Sequence, residues 1–503
     1  MYNNNKEMNK NLGMNKNIGL NNNNIGINND FELINININN NIGINYNNFS
    51  INNKLGINNN LEKNNNISMN NNKNIGMNNI SNGNQNIMDN VIQLNPKRNI
   101  SKKKEKEQKI KNVHFSINSY SKPPLIGLNN RGSKHLINAI IQCLSQSESL
   151  TNYFLSQRNK KAIFNNNIAK QNNNELQLCP AYYELIQNLW SKSGIKTYSS
   201  KTFIDLIDKM SKDKLLKYNN EEAGDAKEFI IFILKQFHKE LQKSVNSENN
   251  PINNKPFNQY DKDNAFNQLN LEFQESVSII SDIFFGVNET NTICLNCKNI
   301  YNSHGLTNPV FYNYEIFNLL IFPLEEVKKM KNQKMKFYNI NMIQNNIINI
   351  YECFAYNEKE ELLTGDNKNY CNLCKQLSEA KYKTKIYISP NILILILNRG
   401  KGNIFNVKLI FNEYIDITQF VLKKDMPKIT YSLYGIVAQI GNSGPSPHFV
   451  AECKSPVDNK WYRYNDDIVT PIKNFQKEVI DYGTPYVLFY KKNINNIPKV
   501  ENK

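Results

Sequence analysis

The sequence predicts an α+β fold, because helical patterns come first along the chain and strand patterns follow. Residues 136–154 carry apolar side chains at steps of three and four, the period of an amphipathic helix, and residues 223–241 repeat this pattern. Short apolar segments in the C-terminal third have the length of strands: 392–397, 433–440, 449–453, 461–464 and 486–490. Helices followed by strands are typical of an α+β domain, which we place at residues 123–492.

A low-complexity region, residues 1–95, precedes this domain and consists largely of Asn. The whole chain of 503 residues is only 40% hydrophobic, with a mean hydropathy of −0.60. Isolated apolar residues in such a tract bury too little surface to offset the ordering of the backbone, so we predict that it is disordered. A basic linker at residues 96–122 and a short tail at residues 493–503 complete the predicted organisation.

The chain is basic, with 61 Lys and Arg against 44 Asp and Glu and a formal net charge of +17. Part of the surplus lies in the linker, at residues 97–111. A solvated linker is the first interpretation, and a nuclear-localisation or RNA-contacting patch is the alternative. No apolar run approaches the roughly 18–20 residues that span a bilayer. The segment MYNNNKEMNKN has no apolar signal core, so we expect a cytoplasmic and/or nuclear protein without membrane contact.

A polar loop with two glycines, Gly127 to Gly132, leads directly into the first amphipathic helix. The first turn of a helix has unsatisfied N–H groups and a positive partial charge. Proteins place thiolates and oxyanion sites at such helix ends. This segment alone fits an ordinary capped helix equally well, so the functional interpretation depends on the rest of the domain.

Several further segments together resemble the ubiquitin-specific proteases, papain-like cysteine peptidases that are also called ubiquitin carboxyl-terminal hydrolases. The family motif GLxNxGxTCYMNSxLQCL is matched at Gly127, Leu128, Asn130, Gly132, Asn138, Gln142, Cys143 and Leu144. The QQDAxEF motif is similar to residues 221–229, and the strand ending in LKRF is similar to residues 382–399. The histidine, WYxFND and closing-strand motifs are similar to residues 447–452, 461–466 and 485–490. The resemblance implies a papain-like fold with thumb, palm and zinc-finger parts.

The resemblance fails at one decisive position, because His135 stands where the family has its nucleophilic Cys. The neighbours Lys134, Leu136 and Ile137 also depart from the motif. Attack on an isopeptide carbonyl needs a thiolate made by a neighbouring imidazole, which an imidazole cannot replace. Cys143 lies about 12 Å further along a helix that rises ~1.5 Å per residue, and it matches a non-catalytic Cys of the motif.

The resemblance assigns roles to the other residues of the site. It implies that His448 is the general base and that Asn465 orients its ring, with Asp466 as the alternative acid. It implies that Asn130 stabilises the oxyanion and that Asp225 faces the basic tail of ubiquitin.

The loop before this histidine departs from the family, since Pro447 stands where the family usually has Gly. Proline removes an N–H group and fixes φ, so the channel for the glycine tail of ubiquitin is expected to be altered here.

Two CxxC pairs, Cys294 with Cys297 and Cys371 with Cys374, supply the four thiolates of a closed tetrahedral zinc site. Four unrelated reduced thiols are the alternative. Eight Cys in the whole chain are too few for a disulfide scaffold. The long gap between the pairs suits a structural zinc at the tips of long strands, as in the fingers of the resembled family, which we place at residues 271–385.

Other residues with reactive or aromatic side chains are expected to serve packing or to lie at the surface. Core positions are expected for Trp190 and Trp461, and buried thiols for Cys179 and Cys353. Surface or packing positions are expected for His114, His238 and His304.

Three functional hypotheses follow. The first is a family member that has lost its nucleophile and acts by binding ubiquitin, ubiquitinated proteins or a protein complex. The second is an active thiol deubiquitinase that recruits another Cys and hydrolyses ubiquitin isopeptide bonds. The third is an RNA- or splicing-associated scaffold that uses the basic linker, without which we expect no nucleic-acid contact.

Overall fold

The computed structural model describes residues 116–130, 134–166, 176–213, 226–244, 258–272, 276–304, 309–337, 346–400, 405–440, 448–480 and 484–494. The Asn-rich region, most of the basic linker, His114, Asp225 and Pro447 lie outside the described residues. No helix within these ranges is long and apolar enough to cross a membrane.

Eleven α-helices are present in the described ranges, and most of them precede the large sheet in sequence. They are α1 (His135–Ser145), α2 (Glu148–Leu155), α3 (Lys160–Phe164), α4 (Leu178–Leu189), α5 (Lys201–Asp213), α6 (Ala226–Leu241), α7 (Lys262–Glu272), α8 (Ile279–Phe284), α9 (Leu295–Ser303), α10 (Leu324–Phe337) and α11 (Ile350–Asn357). The helix predicted over residues 223–241 is confirmed as α6 in its described part.

The single helix predicted over residues 136–154 is wrong, because two helices, α1 and α2, occupy this segment. The chain leaves the helical conformation at Ser147, which has φ −70° and ψ 102°. The free carbonyl of Ser145 accepts hydrogen bonds from Thr151 Oγ1 at 2.7 Å and from Trp190 Nε1 at 3.1 Å. Side-chain donors thus satisfy a backbone carbonyl at the C-terminal end of α1. Apolar periodicity contains no information about such hydrogen-bond partners, so it does not predict the break.

Twenty strands are present in the described ranges. They are β1 (Gly127–Leu128), β2 (Thr197–Tyr198), β3 (Lys243–Ser244), β4 (Ser276–Val277), β5 (Gly286–Cys294), β6 (Phe311–Phe317), β7 (Leu320–Pro323), β8 (Ile347–Asn349), β9 (Glu361–Leu363), β10 (Asn369–Cys371), β11 (Gln376–Ser378), β12 (Ala380–Ile388), β13 (Ile392–Asn398), β14 (Lys408–Ile410), β15 (Tyr414–Asp416), β16 (Thr430–Ile440), β17 (His448–Lys454), β18 (Trp461–Asn465), β19 (Ile468–Pro471) and β20 (Thr484–Lys492). The five predicted strands are confirmed as β13, β16, β17, β18 and β20.

The largest sheet has eight strands in the order β19-β18-β17-β16-β20-β13-β7, with β15 paired to β16. Its pairs are antiparallel except β13 with β7. Strand β13 is buried from Ile392 to Leu397, and Leu393, Leu395 and Leu397 belong to one large apolar cluster. Burial on both faces explains why its sequence is continuously apolar and does not alternate.

Helix α1 packs against β16 and β17 of this sheet, and its residues from Leu136 to Ser145 are buried. Gly435 on β16 permits the close approach, since a Cβ there would lie 3.2 Å from Cys143 Sγ. The sheet therefore holds the start of α1 near the start of β17 and the end of β18, where the site residues lie.

A second sheet has four antiparallel strands in the order β6-β5-β12-β9. Strand β5 ends at Cys294, and the hairpin β10–β11 carries Cys371 and Cys374 beyond it. The predicted arrangement, with CxxC pairs at the tips of long strands, is present in the described residues.

Several single-residue expectations are also confirmed. Trp190 and Trp461 are 2% and 6% exposed, and Cys179 and Cys353 are fully buried. His304 is exposed, whereas His238 is fully buried and its Nδ1 lies 2.7 Å from Ser278 Oγ. Burial lowers the pKa of His238 to about 3. His238 is therefore a neutral packing residue.

Candidate functional site

Backbone hydrogen bonds join β1, in the loop before α1, to the residue after β18 and to the residue before β2. Leu128 N donates to Asp466 O at 2.8 Å, and Gly127 N donates to Lys196 O at 2.8 Å. A Cβ on Gly127 would lie 2.5 Å from Asp467 O, so only glycine fits between these segments. The contact places the start of α1 directly beside Asp466.

His135, which the resemblance assigns to the nucleophile position, is the first residue of α1. Its Nδ1 lies 2.5 Å from Asp466 Oδ2, and its side chain is 25% exposed against 9% for Asp466. Asn130 Nδ2 lies 2.8 Å from Nδ1 and 3.0 Å from Nε2 of the same ring. The histidine is thus held between a carboxylate and an amide at the opening of the site.

His448 is the first residue of β17 and faces His135 across the site. The two ring centroids are 4.1 Å apart with an interplanar angle of 70°. His448 Nε2 lies 2.5 Å from Asn465 Oδ1, so this nitrogen donates to the amide carbonyl. In a neutral ring with this hydrogen bond, the other nitrogen, Nδ1, carries the lone pair.

The two residues considered as partners of His448 have separate contacts. Asn465 contacts His448, and Asp466 contacts His135. Asp466 has a φ of 51°, in the left-handed region, and this turn sends its side chain toward α1 while that of Asn465 faces β17. Of the two candidates, Asn465 is therefore the residue that hydrogen-bonds to His448.

Asn138 matches a motif residue, but the sequence by itself assigns it no role in the site. Its Nδ2 donates to Asp466 Oδ1 at 2.8 Å, and the residue is 2% exposed. Residues three apart share one helix face, so Asn138 lies beside His135 on α1. A polar residue three positions after His135, among the apolar residues of the first two turns of α1, is the signal that could have identified it.

The site opens into a cleft on the protein surface. Its lining residues are Asn129, Asn130, Asn465, Asp466, Asp467 and Ile468. Small molecules and ions in solvent can therefore reach the edge of the His135–Asp466 pair. The predicted tail-binding residue Asp225 lies outside the described residues.

The four predicted metal ligands Cys294, Cys297, Cys371 and Cys374 come together, with their Sγ atoms within 4.8 Å of one another. We call this group the four-cysteine cluster. Cys294 Sγ is 3.8 Å from Cys374 Sγ, and Cys297 Sγ is 3.6 Å from Cys371 Sγ. Zinc–sulfur bonds of ~2.3 Å in a tetrahedron require sulfur–sulfur distances of about 3.8 Å. The cluster therefore has the geometry of a zinc site with four thiolate ligands.

The environment favours thiolate at one cysteine of this cluster and thiol at two others. The Ser378 hydroxyl, whose Oγ is 3.3 Å from Cys374 Sγ, lowers the pKa of the Cys374 thiol to about 6. Burial raises the pKa of the Cys297 and Cys371 thiols. A dication offsets that burial because it removes the thiol proton directly.

The fold and the geometry around α1, β17 and β18 define a papain-like peptidase architecture, in which a helix start faces a strand histidine that is oriented by an amide. Residues 126–490 match the family model described as ubiquitin carboxyl-terminal hydrolase, and the chain belongs to this family.

Curated relatives agree with this assignment. The chain is 26% identical over 380 residues to human ubiquitin carboxyl-terminal hydrolase 2, a match that covers 75% of this chain and 56% of the relative. It is 24% identical over 402 residues to a probable ubiquitin carboxyl-terminal hydrolase 4 of Schizosaccharomyces pombe, covering 76% of this chain and 61% of the relative. The chain thus spans little more than half the length of these relatives.

Solved structures show the same fold. A SAGA DUB module that contains Ubp8, Sgf11, Sus1 and Sgf73 bound to monoubiquitin aligns at a TM-score of 0.50 and 20% identity, covering 74% of this chain and 70% of that chain. A yeast SAGA DUBm structure aligns at a TM-score of 0.50 and 22% identity, covering 74% and 69%. The predicted α+β, papain-like fold is confirmed by these similarities.

Proposed function

We propose that this chain is a non-hydrolysing member of its family that acts by binding ubiquitin or a protein partner. The carrying observation is His135 at the first residue of α1, with its ring 4.1 Å from that of His448. In the family motif this position belongs to the nucleophilic Cys. Peptide-bond attack in this class needs a thiolate beside the imidazole, and here a second imidazole occupies that place.

The remaining cysteines offer no replacement nucleophile. Four of the eight belong to the four-cysteine cluster, and Cys143, Cys179, Cys353 and Cys453 are buried. Burial raises the pKa of the Cys179, Cys353 and Cys453 thiols, which keeps them protonated. Buried, protonated thiols are inert as nucleophiles.

The other residues of the site support a site that is retained but does not hydrolyse. His448 keeps the amide partner Asn465 that orients a general base. Asn130, the oxyanion-stabilising residue by resemblance, has its Nδ2 against the ring of His135. An oxyanion donor that contacts another side chain is not free to receive a tetrahedral intermediate.

Ubiquitin binding would use the larger architecture. We assign the helical part at residues 125–270 to the thumb, residues 271–385 to the fingers and the large sheet to the palm. Ubiquitin would lie in the palm, with its tail between thumb and palm toward His135 and His448. A structural zinc at the four-cysteine cluster would hold the end of β5 to the β10–β11 hairpin.

Hydrolysis of a fluorogenic ubiquitin C-terminal substrate by the full chain tests this proposal, with His135→Cys measured beside the wild type. We expect no hydrolysis by the wild type and a gain of activity in the variant, both assayed without added zinc so that the new thiol stays free. Adding His448→Ala to the His135→Cys variant is the matched control, because it removes the base that a new thiol needs. Turnover by the wild type would overturn the proposal and support an active thiol deubiquitinase.

Binding of ubiquitin is measured separately by titration calorimetry with the wild-type chain. Ubiquitin that lacks its C-terminal glycines should bind more weakly, because the tail is expected to occupy the channel. Asp225→Asn should weaken binding, whereas Asp205→Asn, on the exposed face of α5, is the matched control. Absence of ubiquitin binding by the intact chain would leave a protein partner as the ligand.

The scaffold alternative depends on the basic run at residues 97–111, which lies outside the described residues. RNA binding that is lost on deletion of this run would favour it. A cytoplasmic and/or nuclear location stays a prediction under each of these functions.

A further inference from the structure

A second group of metal-capable side chains lies at the position of the lost nucleophile. His135, His448 and Asp466 each present one ligand atom, and these atoms all lie within 4.8 Å of one another. We propose that these three residues bind a divalent zinc ion. The substitution that removes the thiol thereby creates a metal site that the four-cysteine cluster does not account for.

The ligand set suits zinc. Two imidazoles and one carboxylate are the ligands of open zinc sites, with metal–nitrogen and metal–oxygen distances of ~2.0–2.2 Å. Around a tetrahedral ion these bonds place neighbouring ligand atoms about 3.3 Å apart. The 2.5 Å between His135 Nδ1 and Asp466 Oδ2 must open by several tenths of an ångström. The other ligand-atom distances already lie within 4.8 Å and must come to the same value. Zinc binding therefore requires side-chain rotations that make these changes.

Hydrogen bonds from neighbouring residues already orient two of the three ligand side chains. Asn465 Oδ1 accepts the Nε2 proton of His448, which fixes the tautomer that leaves Nδ1 unprotonated. Asn138 Nδ2 holds Oδ1 of Asp466, so that Oδ2 faces His135. Metal-binding histidines and carboxylates in proteins are oriented by such partners, and their loss lowers metal affinity.

The charges at the site favour a cation. As metal ligands, two imidazoles and one carboxylate together supply one negative charge, and zinc would displace the proton between His135 and Asp466. The nearest lysine in sequence, Lys134, places its amino group 3.3 Å from Asp208 Oδ1. A partly exposed His135 at the edge of an open cleft gives an ion a route from solvent.

Three protein ligands leave a fourth position for water, which is the arrangement of open zinc sites. Ubiquitin is not required for this binding, so the proposal can fail or succeed independently of the proposed function. Metal analysis without ubiquitin distinguishes the two.

The test measures zinc content of the full chain after dialysis against buffered zinc. We expect His135→Ala and Asp466→Asn each to lose one equivalent relative to wild type. His304→Ala, which removes an exposed histidine elsewhere, should lose none. Unchanged zinc content in both site variants would overturn the proposal and leave His135 and Asp466 as an ion pair.

Two further variants separate ligand loss from misfolding. His135→Cys should restore the equivalent that His135→Ala loses, because Cys is itself a zinc ligand. Asn465→Ala should retain the fold but lower zinc affinity at this site by about 10- to 100-fold, as loss of an orienting partner does. Cobalt substitution provides the spectroscopic readout: the site variants should lose only the weaker d–d bands of the His–His–Asp site, while the d–d and thiolate charge-transfer bands of the four-cysteine cluster persist. Loss of both signals together would instead indicate unfolding and would count against the proposal.

Discussion

The four-cysteine cluster and the His135–His448–Asp466 group are both sets of metal-capable side chains, but the chain builds them differently. The cysteines come in two pairs, each with a spacing of two residues between its members. The histidines and the aspartate come from the start of α1, the start of β17 and the residue after β18. Local spacing can therefore be recognised in a sequence, whereas a group assembled by a sheet and a packed helix cannot.

The two groups also differ in burial. Cys297 and Cys371 are 3% and 7% exposed, whereas the His135 side chain is 25% exposed beside an open cleft. A closed set of four thiolates serves stability, and a three-ligand set at a cleft leaves room for a small ligand. Changes to the two groups and to the residues around them should differ in effect, from the largest to the smallest.

Removal of one buried thiolate should have the largest effect. Structural zinc contributes about 10–16 kcal/mol of binding free energy in small zinc-finger peptides. Cys371→Ser should lose a large part of the zinc binding free energy at this cluster, and with it folding stability. We expect lost zinc and a lower unfolding temperature, measured by metal analysis and calorimetry. The matched control is Cys353→Ala, which removes a buried thiol outside the cluster. Equal destabilisation by both variants would contradict a zinc-dependent role of the cluster.

Acid pH should destabilise the fold through a packing histidine that lies outside both groups. Burial lowers the pKa of His238 from 6.5 to about 3. The unfolded chain therefore binds a proton below pH 6.5 that the folded chain does not. This residue's contribution to stability is full above pH 6.5 and falls by up to about 1.4 kcal/mol per pH unit between pH 6.5 and pH 3.

Denaturant unfolding of wild type and His238→Asn at several pH values measures this slope. Asn keeps a polar group near Ser278, so the variant should be less stable at neutral pH but should have a shallower loss in acid. A wild-type slope that persists in the variant would assign the acid sensitivity to other groups. His304→Asn, at an exposed position, should leave the slope unchanged.

The fastening of Asp466 to the start of α1 depends on Gly127. Gly127→Ala would bring a Cβ within 2.5 Å of Asp467 O, and such overpacking typically costs about 1–3 kcal/mol. We expect this loss of stability in urea unfolding. Zinc binding should be weaker at the His135–His448–Asp466 group and unchanged at the four-cysteine cluster. Gly194→Ala is the control, because a Cβ there would meet no atom within 4 Å and only the positive φ of 77° opposes the substitution. Similar effects of both substitutions on zinc would refute the fastening role.

The smallest effect is expected beside the histidine site. Asp208→Asn removes the partner of Lys134 at 3.3 Å, on a pair whose side chains are 10% and 27% exposed. Partly exposed pairs contribute about 1 kcal/mol or less, so stability should change little in urea unfolding. Zinc content should stay the same at the four-cysteine cluster and at the His135–His448–Asp466 group. A larger loss than that of Gly127→Ala would show that the ion pair, and not the backbone contact, positions α1.

The sequence alone determined the fold class, the family resemblance and the four cysteines that cluster. Apolar periodicity located α6 and the core strands, because burial on one helix face or in a sheet centre constrains residue type locally. It did not show the break between α1 and α2, because the contacts that end α1 come from Thr151 and Trp190, and Trp190 is distant in sequence.

Within the site, the sequence placed His135, His448 and Asn465 through motif position. Only the tertiary structure decided that Asp466 contacts His135, since this depends on a left-handed φ and on a glycine that lets two backbones touch. Asn138 likewise acquires its role only when α1 lies against the turn after β18. Side-chain type is encoded one residue at a time, but hydrogen-bond partners are chosen by distances that exist only after the sheet and helix have packed.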